Sequence, residues 1–325
     1  MSLALPTSLS PSKVASFKEC ALAFRYSALD HLPEPPSPHA AKGTVVHKAL
    51  ELLMWEEAPG HRGLDVALEK LRRAQELVLG GEEYSGLDLD EGAEAEFLAD
   101  SETLVRNYYR LEDPNRVRVI GTELMMSVRV GALTLRGIID RLELDDEGGL
   151  VVTDYKTGWA PREAYEQSRL GGVQFYAFLC EQLFGRRPSR VQLLHLRDPL
   201  SISATPTEQS LRGLRQQTSA IWEAIERACQ HEDFRPRPGR LCGLCAFQPY
   251  CPAMGGDPAL AAAEVAARAA RQTLAAVASE HGESSDMDVV GCSDADLPDG
   301  DLASDGLACD VGARPAQPAL AAAGM

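Results

Sequence analysis

Two aspartates and a lysine, Asp140, Asp154 and Lys156, lie in the stretch GIIDRLELDDEGGLVVTDYKTG. Its two apolar segments flank a short loop of turn-forming residues, which predicts a β-hairpin. If Leu144 pairs with Leu150 across that loop, the two aspartates face each other and the lysine projects to the same side of the sheet. A bulge would shift this register by one residue. The pattern therefore predicts three ionisable groups on one face of a sheet.

This group of side chains is unfavourable by itself. Opposed carboxylates destabilise a sheet, and burial beside Leu and Val adds the free energy of removing the charges from water. A divalent cation between the carboxylates removes both penalties, and the lysine can neutralise a phosphate or activate water. The set is therefore suited to metal-assisted phosphodiester hydrolysis. The alternative is a surface hairpin with solvated charges, which is disfavoured because both strands carry apolar residues on both faces.

A histidine and a glutamate on a predicted helix form a second candidate feature. His47 precedes Glu51 by four residues, so both lie on one flank of that helix, beside its apolar stripe. The pair could supply an imidazole ligand to a nearby metal and a carboxylate behind it. A purely structural histidine is an equally good interpretation of the spacing.

Cysteines form the third feature. Cys242, Cys245 and Cys251 are separated by two and five intervening residues, which is typical of a metal site. A fourth ligand must come from elsewhere, and Cys20 is the best candidate. Cys180 and Cys229 fall in helical patterns as small apolar residues. The last two, Cys292 and Cys309, lie in an acidic segment and are poor candidates.

Periodicity predicts the elements that must position these residues, in an order that indicates a mixed α/β fold. Helices are predicted at about 10–26, 43–57, 64–79, 91–111, 163–184, 208–229 and 259–279. Strands are predicted at 116–123, 124–130, 133–144, 150–155, 190–197 and 200–205.

Composition limits the classes of partner. The chain of 325 residues has a net charge of −16, of which −9 lies after residue 256, so a nonspecific coat on DNA is excluded but a focused basic channel is not. No apolar run is long enough to span a membrane and no secretory signal is evident, so we expect a soluble, cytoplasmic protein. The basic residues near the predicted site are Arg141, Arg162, Arg169, Arg186, Arg187 and Arg190, and a solvated role is the more common one for such scattered arginines. The run Arg235, Arg237 and Arg240 is the group expected against the DNA backbone. Trp159 and Tyr165 could stack on bases, with core packing an equally good interpretation.

The segments GTVVHKALE, GIIDR and VVTDYKTG, in that order, resemble the PD-(D/E)XK nuclease superfamily and its RecB-like branch. The resemblance implies a restriction-endonuclease-like mixed sheet flanked by helices. It also implies a role for each motif residue: His47, Asp140, Asp154 and the Tyr155 carbonyl as metal ligands, Lys156 as a catalytic residue, and Glu51 as the acidic position after the histidine. The chain departs from the family at Gly172, where members often carry Gln, and Gln174 lies nearby on a different helical face.

The segments LSPSKVASFKEC and CGLCAFQPYCP resemble the iron–sulfur members of that branch. The resemblance implies that Cys20, Cys242, Cys245 and Cys251 hold a structural [4Fe–4S] cluster, with zinc on the same thiolates as the alternative. The chain then divides as follows: 1–40, an N-terminal helix and connector with the first cluster cysteine; 41–60 and 115–232, the nuclease core; 61–114, a helical insertion; 233–256, the iron–sulfur module; 257–325, an alanine-rich helix and an acidic disordered tail.

The resulting expectation is a Mg²⁺- or Mn²⁺-dependent deoxyribonuclease, an exonuclease on single-stranded DNA or DNA ends, in repair or recombination. One alternative is an iron–sulfur DNA-end-binding subunit of a helicase–nuclease complex, with a helicase as protein partner. The other is a CRISPR-adaptation nuclease.

Overall fold

A central sheet of five strands organises the chain. The computed structural model describes residues 3–81, 84, 86–161 and 166–282. The strands are β1 (Arg118–Val130), β2 (Leu133–Leu144), β3 (Leu150–Lys156), β4 (Arg190–His195) and β5 (Leu200–Ala204). The helices are α1 (Pro11–Glu19), α2 (Ala21–Phe24), α3 (Pro38–Glu56), α4 (Leu64–Leu79), α5 (Glu91–Leu111), α6 (Glu166–Phe184), α7 (Glu208–His231) and α8 (Pro258–Gly282).

The strands lie in the order β1-β2-β3-β4-β5. All neighbours are antiparallel except β3 and β4, which are parallel and are connected through α6. The mixed α/β fold predicted from the sequence is confirmed, and it is a restriction-endonuclease-like sheet flanked by helices. The described residues up to Thr273 belong to one compact unit.

The hairpin of β2 and β3 has the predicted register. Leu144 pairs with Leu150 next to the loop, and Arg141 pairs with Thr153 three residues further along each strand. No bulge interrupts the paired residues 141–144 and 150–153. Asp140 and Asp154 therefore follow directly on adjacent strands, as the sequence predicts.

Two predicted elements are wrong at their boundaries. The strands predicted at 116–123 and 124–130 are one strand, β1, which bends without leaving its partner β2. The bend combines a register shift between Val119 and Gly121 with a left-handed backbone at Glu123, whose φ is 46°. The bulge inserts a residue while the hydrogen bonds to β2 continue on both sides of it.

The N-terminal helix predicted at 10–26 is also interrupted. Ser10 caps it as expected, since its hydroxyl accepts a hydrogen bond from the Lys13 backbone N–H at 3.2 Å. Cys20 then takes an extended conformation with φ −157°, and α2 and a π-helical turn at Arg25–Leu29 follow. Cys20 therefore lies between two helices and belongs to neither.

Helices cover both faces of the sheet. The larger apolar core joins the N-terminal helices, α6 and α7 to one face, where Leu9, Ile139 and Val152 are fully buried. The smaller core joins α3, α4 and α5 to the other face, around Tyr108 and Tyr155. The predicted helical insertion thus packs against α3, the helix that carries His47. Within the part of the chain that the structure describes, no helix has the length and apolar character of a membrane span.

Gly137 of β2 lies beside α6, and Gly172 lies within α6. Substitutions of these two glycines give a matched test of the packing of α6 on the sheet. A Cβ added to Gly137 of β2 would lie 2.7 Å from Cε1 of Tyr176, whereas one added to Gly172 would meet nothing within 4 Å. We expect Gly137→Ala to lower the free energy of unfolding by about 1–3 kcal/mol. Gly172→Ala, inside the helix, should raise it by about 0.5–1 kcal/mol. Urea unfolding measures both, and equal effects of the two substitutions would contradict the packing.

Candidate active site

His47 and Asp140 meet at one end of the sheet. The His47 Nδ1 atom lies 3.5 Å from Oδ2 of Asp140. Glu123 of β1 joins them, and ligand atoms of the three residues lie within 4.8 Å of one another. Among the described residues, this is the only set of three such side chains close enough to share one metal ion. Imidazole with two carboxylates is a donor set that divalent metals accept.

The close approach of α3 to the sheet brings His47 into place. A Cβ on Gly43, one turn before the histidine, would lie only 3.2 Å from Oγ1 of Thr157, directly after β3. The His47 ring also packs edge-to-face on Tyr155, with centroids 5.8 Å apart. A small residue in the motif GTVVHKALE thus lets the helix reach the end of β3.

The backbone of Tyr155 lies beside the Asp140 carboxylate. Its N–H donates to Asp140 Oδ2 at 2.7 Å, which links β2 to β3 beyond their last paired residues. This bond fixes the carboxylate that faces His47. The Tyr155 side chain points away into the smaller core and its hydroxyl accepts from Arg141 at 2.8 Å.

Asp154 and Lys156 form an ion pair at the end of β3. The aspartate is buried, whereas the lysine side chain is half exposed. The ammonium group of Lys156 therefore contacts both the buried carboxylate and solvent. Burial raises the pKa of Asp154 to about 6, although Lys156 opposes the shift; the charge of Asp140 raises it further. Both predicted residues therefore lie on one face, in contact with each other.

Glu123 is a site residue that motif analysis missed. Its removal from water and the charge of Asp140 raise its pKa to about 7. The net pKa of His47 is raised too, because the hydrogen bond and charge of Asp140 outweigh its burial. Crowded carboxylates with raised pKa values are what a bound cation would relieve, so these residues fit a divalent metal. The available signal was the position of Glu123, at the end of a predicted strand and opposite the hairpin.

Glu51 lies one turn of α3 beyond His47. It pairs with Lys48 at 2.8 Å, and both line a cavity of about 340 Å³ with His47 and Glu123. The structure thus places Glu51 at the same opening as the candidate ligands, outside the close group of three. Its catalytic role stays a prediction.

Arg141, one of the basic residues near the predicted site, is not available to DNA. Its side chain is fully buried between Glu112 and Glu143, and its Nη2 lies 3.0 Å from Glu112 Oε2. The guanidinium also donates to Tyr155, the residue against which His47 packs. Side-chain alternation explains the difference, since Arg141 faces the opposite side of β2 from Asp140.

The remaining candidate contacts differ in exposure. Arg235 is exposed and paired with Asp233 at 2.9 Å, and Arg237 donates to the Lys18 carbonyl at 3.0 Å. Trp159 is 72% exposed and stacks under Arg197, whose guanidinium carbon lies 4.0 Å from the ring centroid. Arg162, Tyr165 and the side chain of Arg169 lie outside the described residues, as do Cys292, Cys309 and the acidic segment 283–310.

The four predicted cluster cysteines line one cavity of about 740 Å³. All four are half-buried free thiols, and Cys245 interacts electrostatically with the other three. The backbone N–H groups of Arg237 and Gly239 point at the sulfurs of Cys20 and Cys242, at 3.4 and 3.2 Å. Cys180 and Cys229 are buried elsewhere, as expected for core residues.

Asp154 gives a prediction about stability without metal. Its pKa is raised from the usual 3.8 to about 6, so the folded state binds the proton more tightly than the unfolded chain. Stability is therefore lost as pH rises from about 4 to 6 and the penalty persists above that range. At pH 8 with a chelator, we expect Asp154→Asn to raise the free energy of unfolding by about 1–3 kcal/mol.

Thermal melts at pH 4 and pH 8 check this expectation. The gain should disappear at pH 4, and adding Mg²⁺ at pH 8 should stabilise the original protein more than the variant. A variant that is less stable at pH 8 in chelator would show that the buried charge is already compensated.

One family profile and several solved structures are similar to this chain. The profile of the PD-(D/E)XK nuclease superfamily matches residues 8–252. Among solved structures, the chain is similar to SSO0001, with 13% identity, a TM-score of 0.36 and coverage of 78% of this chain and 89% of that one. It is also similar to a candidate exonuclease from Eubacterium rectale, with 11% identity, a TM-score of 0.43 and coverage of 74% and 87%. No curated protein matches the sequence significantly. Since the profile spans about three quarters of its residues, the chain belongs to the PD-(D/E)XK nuclease superfamily.

Proposed function

We propose that this nuclease is a Mg²⁺- or Mn²⁺-dependent deoxyribonuclease of the RecB-like branch that degrades single-stranded DNA from its ends, in repair or recombination. One observation carries the proposal. His47, Glu123 and Asp140, the last within β2, lie together beside the ion pair of buried Asp154 and half-exposed Lys156 at the end of β3. A cation site and a half-exposed ammonium group thus face the same end of the sheet.

The proposed ligands are His47, Asp140, Asp154 and the Tyr155 carbonyl, with Glu123 as an additional acid. When bound, a divalent cation polarises the scissile phosphate and lowers the pKa of the attacking water. Asp140 is held by the Tyr155 N–H, so it needs little rearrangement to act as a ligand.

Lys156 is the proposed catalytic residue. Its Nζ is held by Asp154 and reaches solvent, where it can orient the attacking water or offset the negative charge that develops on the phosphate. The Glu51 carboxylate, paired with Lys48 at the mouth of the same cavity, is proposed as a general base that takes up a proton from the attacking water. All of these roles require that the scissile phosphodiester lies next to Asp140 of β2 and to Asp154 and Lys156 at the end of β3.

We further propose that Cys20, Cys242, Cys245 and Cys251 hold a structural [4Fe–4S] cluster. The four thiols share one cavity, and two of them face backbone N–H donors, which stabilise cluster sulfurs. A zinc ion on the same four thiolates stays the alternative.

The alternatives remain an iron–sulfur DNA-end-binding subunit of a helicase–nuclease complex and a CRISPR-adaptation nuclease. The intact Asp140, Asp154 and Lys156 favour an active enzyme over a binding subunit. A helicase partner and a cytoplasmic location stay predictions from the sequence.

A matched pair of substrates tests the exonuclease proposal. The protein is incubated with Mg²⁺ or Mn²⁺ and one single-stranded sequence, offered as a 5′-labelled linear strand and as a closed circle. We expect degradation of the linear strand and an intact circle. Cleavage of the circle would show an endonuclease and contradict the exonuclease proposal. Binding of linear ends without cleavage in either metal would favour the DNA-end-binding subunit.

A further inference from the structure

A groove of about 600 Å³ leads away from the Asp154–Lys156 pair. Its floor is the part of β2 around Gly137 and Ile138, which extends beyond the end of β3. Helix α6 covers one side. The groove therefore begins at the candidate catalytic lysine and continues along an uncovered stretch of β2.

The N-terminal segment forms the far wall and is fixed to the sheet. Leu9 is fully buried and pairs with β2, since its N–H donates to the Thr134 carbonyl and its carbonyl accepts from Arg136 N–H, both at 2.9 Å. This pairing occupies the edge of β2 that β3 leaves free. The residues that follow, from Ser10 to Lys13, are thereby held opposite Lys156 across the groove.

Two cations, Lys13 and Arg136, line this far end of the groove. Their side chains bind neutral acceptors only: Lys13 Nζ donates to the Ser8 carbonyl at 3.1 Å, and Arg136 Nη2 lies 2.8 Å from Met125 Sδ. Among the described residues, neither cation forms an ion pair with a carboxylate. Burial and the charge of Arg136 lower the pKa of Lys13, so the two groups are close enough to repel each other.

The two neighbouring cations repel each other and have no carboxylate partner among the described residues, although the chain has a net charge of −16 and carboxylates are abundant. An anion bound between them removes the repulsion. Because the groove opens from Lys156, the anion that reaches both ends of it is a chain carrying more than one phosphate. Arg136 is suited to such a ligand because its planar guanidinium can bind two phosphate oxygens at once.

We propose that Lys13 and Arg136 form a second phosphate subsite, which binds a phosphate flanking the scissile one on the same single strand. The inference rests on the proposed function, because it takes the scissile phosphate to lie at Lys156. The hydroxyls of Ser10 and Ser12, which lie 2.9 Å apart at the same wall, are further hydrogen-bonding groups for that phosphate.

The test compares the double variant Lys13→Gln/Arg136→Gln with the control Arg72→Gln, an exposed arginine of α4 without an ion pair among the described residues. Fluorescence anisotropy measures the Kd of a labelled single-stranded DNA over a range of salt concentrations, with Ca²⁺ to prevent cleavage. We expect Kd to rise at least about 10-fold in the double variant, and the slope of log Kd against log salt to fall by about 0.7 for each lost contact. A Kd and salt slope equal to those of Arg72→Gln would overturn the proposal.

A second measurement separates this subsite from the catalytic site. The ratio of kcat/KM for an oligonucleotide to kcat/KM for bis(4-nitrophenyl) phosphate, which has a single phosphate, should fall about 10-fold in the double variant. An unchanged ratio would overturn the subsite while leaving the nuclease intact. Absence of metal-dependent hydrolysis of both substrates by the unaltered protein would instead reject the proposed function itself. Gly172→Leu, which places a bulky side chain in the open groove, should lower the same ratio without removing a charge.

Discussion

Replacing Lys156 with alanine is expected to lower kcat/KM on single-stranded DNA by about 10³-fold. Removal of one group that stabilises transition-state charge costs about this much in other hydrolases. Here the loss is compounded, because Lys156 is also the partner of the buried Asp154 carboxylate. Without it the pKa of Asp154 should rise further above 6, so that less of the proposed metal ligand is ionised at neutral pH.

The control for this variant is Lys70→Ala. Lys70 also forms ion pairs, with Glu56 and Glu57, but lies on α4 in the helical insertion. Steady-state cleavage of a labelled strand and thermal melts are compared for the two variants. Equal rates for Lys156→Ala and Lys70→Ala would remove Lys156 from the chemistry.

The second large effect concerns the cysteines. Cys245→Ser is expected to abolish the brown colour and iron content of the purified protein and to lower the free energy of unfolding by about 3–5 kcal/mol. The proposed cluster would tie Cys20 to residues more than 220 positions later, and a link across so long a loop restricts the unfolded chain strongly. Metal-binding energy also adds directly to folding energy when the site forms only in the native state.

Cys180→Ala is the matched control, because Cys180 is buried in the larger core away from that cavity. It should keep its iron and colour even if it loses some stability through a small core void. If the unaltered protein is colourless and contains stoichiometric zinc, the cluster proposal is wrong and the zinc alternative holds. Colour that persists in Cys245→Ser would remove this cysteine from the ligand set.

The hairpin was predictable because its constraints are local. A short turn-rich loop and strict alternation fix the register of β2 and β3, and the observed pairs match it. The position of His47 beside Asp140 is different, because it depends on how closely α3 packs on the sheet. Sequence spacing within a helix places residues on a face, and only the motif resemblance indicated which neighbour that face meets.

Glu123 and Arg141 show what local patterns miss. Glu123 reaches the site through a bulge and a left-handed backbone that join two apparent strands into one, and propensity does not report such a bend. Arg141 has the sequence context of a surface arginine, yet it is buried by Glu112 from the end of α5, almost 30 residues away. Long-range ion pairing decides its environment, which no window of adjacent residues contains.

The central claim is that one cation binds between the carboxylate of Asp140, within β2, and that of Asp154, near the end of β3, next to His47. The most direct measurement is an anomalous difference map from a crystal soaked in Mn²⁺, with a crystal of Asp140→Asn treated identically. The account predicts a peak within bonding distance of His47, Asp140 and Asp154, which is lost or strongly weakened in the variant. The absence of a peak at this position, or a peak elsewhere in the maps of both crystals, would contradict the account.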